Sequence, residues 1–520
     1  IMTTQDPDIQ NIVDEEYSDP SNYPDYVQYA LDYALTVKQP DGQEVNYSKE
    51  MMKLYFQNED PSFDLLFDSQ DEGQTYVDRY KANILADGST VVAERVSFAP
   101  QPQSAMTIID QHTGYVKAII GGRGTKTASL TLNRATDSTR QPGSTFKIVS
   151  TYAAALNEKG MTLATTYEDQ PITYDNGAPV NNASGSFNGT TTIRTAIRNS
   201  VNTVAVQCFE DVTPELGLKY LDNFGFTTLA HGTEADTDAN GNVYTDANLP
   251  TALGGLTYGV KNVELCAAYA AIANGGNYIK PVYYTKILDH NGNVLIENNS
   301  VGRSVIKETT AYLLTSALED VVQNGTGTAC QLDNMAVAGK TGTTDAYNDL
   351  WFVGYTPYYT CAVWSGYDGN QKIPEGDARN FHKTLWRKVM NRIHQGMEYK
   401  DFEVPDGIEQ ISICADTGLL PRVGCPVTEE YFDVGTMPTD YCDQHFYEYD
   451  ESQDEDMEIY DENATPTPDP ENPDGTDNTD GSGGDGTGGD GTGGDGTGGG
   501  DIQYPDESGG DSGNDDIYYY

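Results

Sequence analysis

The chain has 520 residues, 80 acidic side chains against 30 basic ones, and a formal net charge of −50. Such an acidic surface excludes a phosphate-backbone partner and electrostatic docking on anionic lipid, so no nucleic acid is expected. No apolar run approaches the ~20 residues needed to cross a bilayer. The chain begins at Ile1, which reads as a piece of a longer precursor whose membrane anchor lies upstream.

Residues 1–98 read as an N-terminal linker or pedestal. Ile9 and Val13, then Val27, Ala30, Leu31 and Ala34, recur at helical spacing, with turns at Asp19-Pro20 and at 39–42 (QPDG). The next region, 99–400, opens with two strand-like runs at 105–109 (AMTII) and 115–120 (YVKAII), joined by a turn at 110–114. Helical stretches follow at 144–158, 193–210, 262–273 and 308–323, and a second hairpin turns at Asn291-Gly292. After Lys340 strands return at 350–354 (LWFVG) and 359–364 (YTCAVW). Strands, helices, then strands predict an α+β domain with an antiparallel sheet assembled from both ends and flanked by helices. A small element is expected at 401–446. The stretch 447–520 reads as a disordered acidic, Gly-rich tail, because 451–520 holds 21 acidic residues and no Lys or Arg.

Three short patterns carry chemistry. At 144–147 (STFK), directly after 140–143 (RQPG), Pro142 and Gly143 punctuate a helix entry and place Ser144 in its first turn. Lys147 lies three residues on, on the same face, where an amine can activate a serine. Alone the pattern is weak, and 304–307 (SVIK) matches it too. Its order is what makes it specific. Ser200-Val201-Asn202 follows at a helix end, and Lys340-Thr341-Gly342-Thr343 begins a strand; Ser-x-x-Lys, Ser-x-Asn and Lys-Thr-Gly in that order mark serine acyl transfer. Ser186-Phe187-Asn188 competes for the middle place but lies in a Gly/Asn-rich loop.

With these motifs the chain resembles the transpeptidase region of class A (bifunctional) penicillin-binding proteins. The likeness extends over 1–6 (IMTTQD) to Gln10, 105–122, 133–135 (NRA), 196–203 (AIRNSVNT), 267–276 (AAYAAIANGG) and 338–343 (AGKTGT). It is good across about 100–365 and poor across 11–98. The resemblance implies a penicillin-binding/serine β-lactamase-like fold. It also implies that a membrane helix and a glycosyltransferase domain precede this segment in the full protein, with the catalytic domain on the extracytoplasmic face of the cell membrane.

It implies roles as well. Ser144 would attack the penultimate D-alanine carbonyl of a peptidoglycan stem peptide, with Lys147 as general base, kept neutral by burial and by the Lys340 cation. Ser200 would protonate the departing D-alanine and Asn202 would hold Lys147 and the substrate amide. Thr341, Gly342 and Thr343 form the substrate-binding strand, with Thr341 and Thr343 gripping the terminal carboxylate. Backbone N–H groups of Ser144 and Thr343 would make the oxyanion hole. The expected partners are stem peptides, lipid-linked glycan strands, β-lactams and the cell-wall synthesis machinery. No cofactor or metal is expected. A D,D-carboxypeptidase, a β-lactamase, or a non-catalytic penicillin receptor or wall-binding module on the same scaffold is the alternative.

Other features receive plainer readings. Trp351, Trp364, Tyr355, Tyr358 and Tyr359 are read as core and rim of the sheet. Residues 236–241 (DTDANG) begin like a calcium loop, but Ala247 stands where a bidentate Glu is required, so an acidic turn is preferred. Cys414, Cys425, Cys442 and His445 form a Cys₃His set of which only the last pair has ligand-like spacing. A disulfide between two of these cysteines is the favoured reading for an exported protein.

Overall fold

Five strands alternate side chains so regularly that their sheet has two apolar faces, and both are covered. The computed structural model describes residues 1–85, 88–126 and 129–445; the expected acidic tail lies outside them. The central strands are β1 (Gln103–Asp110), β2 (Tyr115–Ile120), β3 (Ala338–Thr343), β4 (Asp349–Tyr355) and β5 (Thr360–Gly366). They are antiparallel in the order β3-β4-β5-β1-β2. The expected α+β sheet built from both ends of the region is therefore present, and β3 forms one edge.

One face, with Ala105, Trp351, Val353, Ala362 and Trp364, packs on the helical layer. At its centre lies the helix Asn262–Ala273, apolar on every side and buried along almost its whole length. The other face, with Met106, Ile108, Phe352, Cys361 and Val363, is covered by the helices Pro7–Ser18 and Phe381–Ile393 through Ile9, Val13, Tyr17, Trp386 and Met390.

Within 1–98 the structure holds two different things. Met2–Thr3 pairs with the strand Tyr284–Leu288, and the helix Pro7–Ser18 belongs to the central sheet. From Gln28 onward the segment folds as a small α+β layer with its own core of Leu31, Tyr33, Leu35, Val37, Met52, Phe56, Val77 and Tyr80. Helical spacing at 27–34 is overturned: Gln28–Lys38 is a strand. Its buried residues Leu31, Tyr33, Leu35 and Val37 follow period two, and that alternation outweighs the helical spacing of Val27, Ala30, Leu31 and Ala34.

The aromatic residues after β3 are core and rim, as expected, with Tyr358 and Tyr359 half-buried. Trp351, Tyr355 and Trp364 are buried, and the Trp364 Nε1–H donates to Asp349 Oδ1 at 2.9 Å. Burial raises the Asp349 carboxyl above its usual range, and the Trp364 hydrogen bond and the Arg140 charge oppose that rise. The 236–241 turn satisfies its own carboxylates: Asp236 accepts from the N–H groups of His231 and Thr233, and Asp238 from Asn242.

The favoured disulfide is not formed. All seven cysteines are free thiols. Cys414, Cys425 and Cys442 gather instead around His445 in a C-terminal element built on the antiparallel pair Ile408–Cys414 and Val427–Asp433.

Replacing Trp364 by Phe keeps the aromatic packing but strips a buried carboxylate of its donor. Trp364→Phe is expected to lower unfolding free energy by about 1–3 kcal/mol, measured by urea denaturation.

Candidate active site

The site begins where Pro142 and Gly143 turn the chain into a helix. Gly143 takes a left-handed φ of +54°, and a tight 3₁₀ turn, Gly143–Thr145, leaves Ser144 half-buried. The expected helix 144–158 is composite: after that turn comes a wide π-type stretch, Lys147–Tyr152, and only then α-helix, Ala153–Glu158. Two early carbonyls are claimed by side chains. Tyr269 Oη donates to Thr145 O at 2.6 Å and Ser150 Oγ to Phe146 O at 2.8 Å. Competition of this kind favours a locally widened helix, a form found often at functional sites.

The expected helix 193–210 is also broken. Ile193–Asn199 ends at Ser200, whose left-handed φ of 57° is uncommon for a residue with a Cβ, and Asn202–Val212 starts a new helix. That corner turns Ser200 and Asn202 toward Lys147. Fully buried, Lys147 donates through Nζ to Ser200 O at 2.8 Å, Asn202 Oδ1 at 2.6 Å and Ser200 Oγ at 3.3 Å. From the opposite side Lys340, also buried, donates to Ser200 Oγ at 2.8 Å. Among the described residues no hydrogen bond joins Lys147 to Ser144.

Burial pushes both amines toward neutrality. Lys147 falls well below the usual lysine range through burial, then through the Lys340 charge, against an opposing pull from Asp345. Burial alone brings Lys340 down to about 7.

Strand β3 meets the Ser144 turn at van der Waals range. A Cβ on Gly342 would lie 2.5 Å from Pro142 O and 2.8 Å from the Thr145 methyl, and one on Gly143 would lie 2.7 Å from Thr343 O. Gly342 thus serves close approach of two backbones. Thr341 Oγ1 lies 2.7 Å from Thr326 Oγ1, and Thr343 is exposed.

Sequence reasoning missed the residues that hold this corner. Asn182 Oδ1 accepts from the N–H of Asn202 at 2.9 Å and of Thr203 at 3.3 Å, capping the new helix. Its amide donates to Asp169, which also accepts from Thr203 and from Asn188. Asn188 of the competing 186–188 pattern therefore serves Asp169, and among the described residues no hydrogen bond joins it to Lys147. The Ser304 hydroxyl of the other Ser-x-x-Lys match donates to Ile306 O, and among the described residues no hydrogen bond links it to these groups.

The likeness to known proteins runs over the same elements. Residues 104–391 match the model of the penicillin-binding protein transpeptidase domain, and residues 404–447 that of the penicillin-binding protein 1A C-terminal domain. Penicillin-binding protein 1A of Clostridium tetani is 33% identical over 362 residues, covering 66% of this chain and 45% of that protein. That of Clostridium novyi is 36% identical over 364 residues, covering 66% and 40%. The chain thus spans less than half the length of these relatives. In fold it is similar to penicillin-binding protein 1A from Haemophilus influenzae, with a TM-score of 0.59 and 21% identity over 85% of this chain and 72% of that one. The PonA1 protein from Mycobacterium tuberculosis in complex with penicillin V matches with a TM-score of 0.51 and 27% identity, over 58% of this chain and 81% of that one.

If contact between β3 and the Ser144 turn positions the site, one methyl group should disturb it. Gly342→Ala is expected to cost about 1–3 kcal/mol of stability through overpacking. It should also slow covalent labelling of the protein by a fluorescent penicillin at least about tenfold, the loss expected when reacting groups are displaced by a fraction of an ångström.

Proposed function

Because the chain belongs to the penicillin-binding protein transpeptidase family, we propose that it is a serine-type D,D-transpeptidase that cross-links peptidoglycan through an acyl-enzyme on Ser144. The observation carrying this reading is the convergence of Lys147 and Lys340 on the Ser200 hydroxyl. Both lysines and the serine come from the three motifs, on separate elements.

In the proposed reaction Lys147, neutral, takes the Ser144 hydroxyl proton as the oxygen attacks the penultimate D-alanine carbonyl. Asn202 and the Ser200 carbonyl orient that amine. The oxyanion forms beside the backbone N–H groups of Ser144 and Thr343, which the Gly143–Thr343 approach keeps close. The C–N bond then breaks, and the proton reaches the departing D-alanine through Ser200. The amine of a second stem peptide attacks the ester, and Ser144 recovers its proton through Lys147. Edge strand β3 offers unpaired backbone groups to an extended peptide, while Thr341, Thr343 and the Lys340 charge hold its carboxylate. A β-lactam opens by the same attack, but its leaving amine stays tethered in the site. This fits the penicillin V complex named for the PonA1 structure.

The work site proposed is the extracytoplasmic face, with stem peptides, glycan strands and the wall-synthesis machinery as partners. Among the described residues no helix is long and apolar enough to cross a membrane.

Peptide mass mapping after incubation with benzylpenicillin should find a long-lived adduct on Ser144. Ser144→Ala should abolish labelling, and Lys147→Ala should slow it by ~10²–10⁴, the usual cost of losing a general base. An adduct on another serine, or undiminished labelling of the Lys147→Ala protein, overturns the assignment; loss of the adduct within seconds would make the protein a β-lactamase.

The lysines also set the pH profile. Labelling needs Lys147 neutral and Lys340 charged. The rate should therefore rise from acid as Lys147 loses its proton, then fall above about 7 as Lys340 loses its own. Lys340→Arg keeps the charge at every pH, so its stopped-flow labelling rates should lose the alkaline fall. An alkaline limb unchanged in that variant would assign the fall to another group.

A further inference from the structure

We propose that Cys414, Cys425, Cys442 and His445 bind one zinc ion, which holds the C-terminal element together. The four donors arrive from three separate segments. Cys414 is the last residue of its strand, opposite Val427. Cys425 sits in the turn just before that partner strand. Cys442 and His445 lie on a third segment, laid beside the first loop by hydrogen bonds from Cys442 N to Leu420 O and from Leu420 N to Asp440 O.

The spacing of the donor atoms fits a tetrahedron. Zinc–sulfur bonds of about 2.3 Å and zinc–nitrogen bonds of about 2.0–2.1 Å require S···N edges of about 3.5 Å. His445 Nδ1 lies 3.5 Å from Cys414 Sγ and 3.4 Å from Cys442 Sγ. All four donor atoms lie within 4.8 Å of one another. A disulfide would use two sulfurs and leave the third with the imidazole unexplained.

The surroundings agree with a closed structural site. His445 turns its other nitrogen, Nε2, to Asp416 Oδ2 at 3.3 Å, the carboxylate–histidine relay that orients metal-bound imidazoles. Arg422 N–H donates to Cys425 Sγ at 3.2 Å, suited to a sulfur bearing negative charge. Four protein donors leave no place for a reacting water, so the ion would be structural. A metal would add to a modest local core, since the small cluster here buries only Ala164, Ile413 and Phe432 fully, with Ile411 and Met437 packed against it.

The experiment uses the whole chain purified without chelator, with zinc measured by inductively coupled plasma mass spectrometry and free thiols by Ellman titration after denaturation. The expected result is one zinc per chain. Cys442→Ser and His445→Ala should each lose it on dialysis against a weak chelator, and Cys330→Ala should keep it. Cobalt exchanged into the wild-type protein should show thiolate charge-transfer and intense tetrahedral d–d bands. That spectrum keeps the proposal testable if the variants do not fold. Zinc below about a tenth of an equivalent, both as purified and after incubation with zinc chloride, would overturn it. So would a disulfide among the three cysteines in protein as purified, or zinc retained equally by both ligand variants. Penicillin labelling takes no part, so the outcome is independent of the acyl-transfer reading.

Discussion

Two buried lysine amines meeting at one serine oxygen set the terms for the rest of the structure. Lys147 and Lys340 both reach Ser200 Oγ, so their nitrogens can be no more than about 6 Å apart. At that distance and an effective dielectric of ~20, two full charges would repel by about 3 kcal/mol. Desolvation adds to this, because neither side chain is exposed. The cheaper state carries one charge, and the geometry decides which amine holds it. Lys147, with Ser200 O and Asn202 Oδ1 as acceptors, feels both burial and the charge of its neighbour. Lys340 feels burial alone. In the proposed reaction that asymmetry supplies a neutral base, Lys147, and a cation, Lys340, beside strand β3.

Much of the scaffold exists to keep those groups in place. The helix Asn262–Ala273, buried on every side, fixes the Ser144 turn through the Tyr269 hydroxyl. Asp169 and Asn182 fix the Ser200 corner. The helix ending at Ser200 begins beside Arg194, whose guanidinium makes a bidentate pair with Glu430 at 2.6 Å on both arms. Glu430 lies on the second strand of the C-terminal element, so a brace on that element also braces the helix that presents Ser200.

The sheet, its assembly from both ends of the region and the three motifs were legible because alternation and motif order are local signals that tertiary packing reinforces. The hairpin at 105–120 and the helix at 262–273 lie where their patterns put them. Three things were hidden. Gln28–Lys38 looked helical because Val27, Ala30, Leu31 and Ala34 fall at helical spacing, while the alternating Leu31, Tyr33, Leu35 and Val37 bury the strand. The break at Ser200 has no Gly or Pro to announce it, since a left-handed serine is sustained by surrounding contacts and not by its own propensity. Asp169 and Asn182 lie on chain segments that meet only in the fold, and the loose spacing of Cys414, Cys425 and Cys442 favoured a disulfide over their gathering around His445.

The unequal protonation of the two lysines is the claim on which the chemistry rests. It can be read directly by titrating protein labelled with ¹³C at lysine Cε by NMR, with the two signals assigned through Lys147→Arg and Lys340→Arg. Both should titrate below the ordinary lysine range, Lys147 at the lower pH of the two. Two signals titrating independently in the ordinary lysine range would contradict the account.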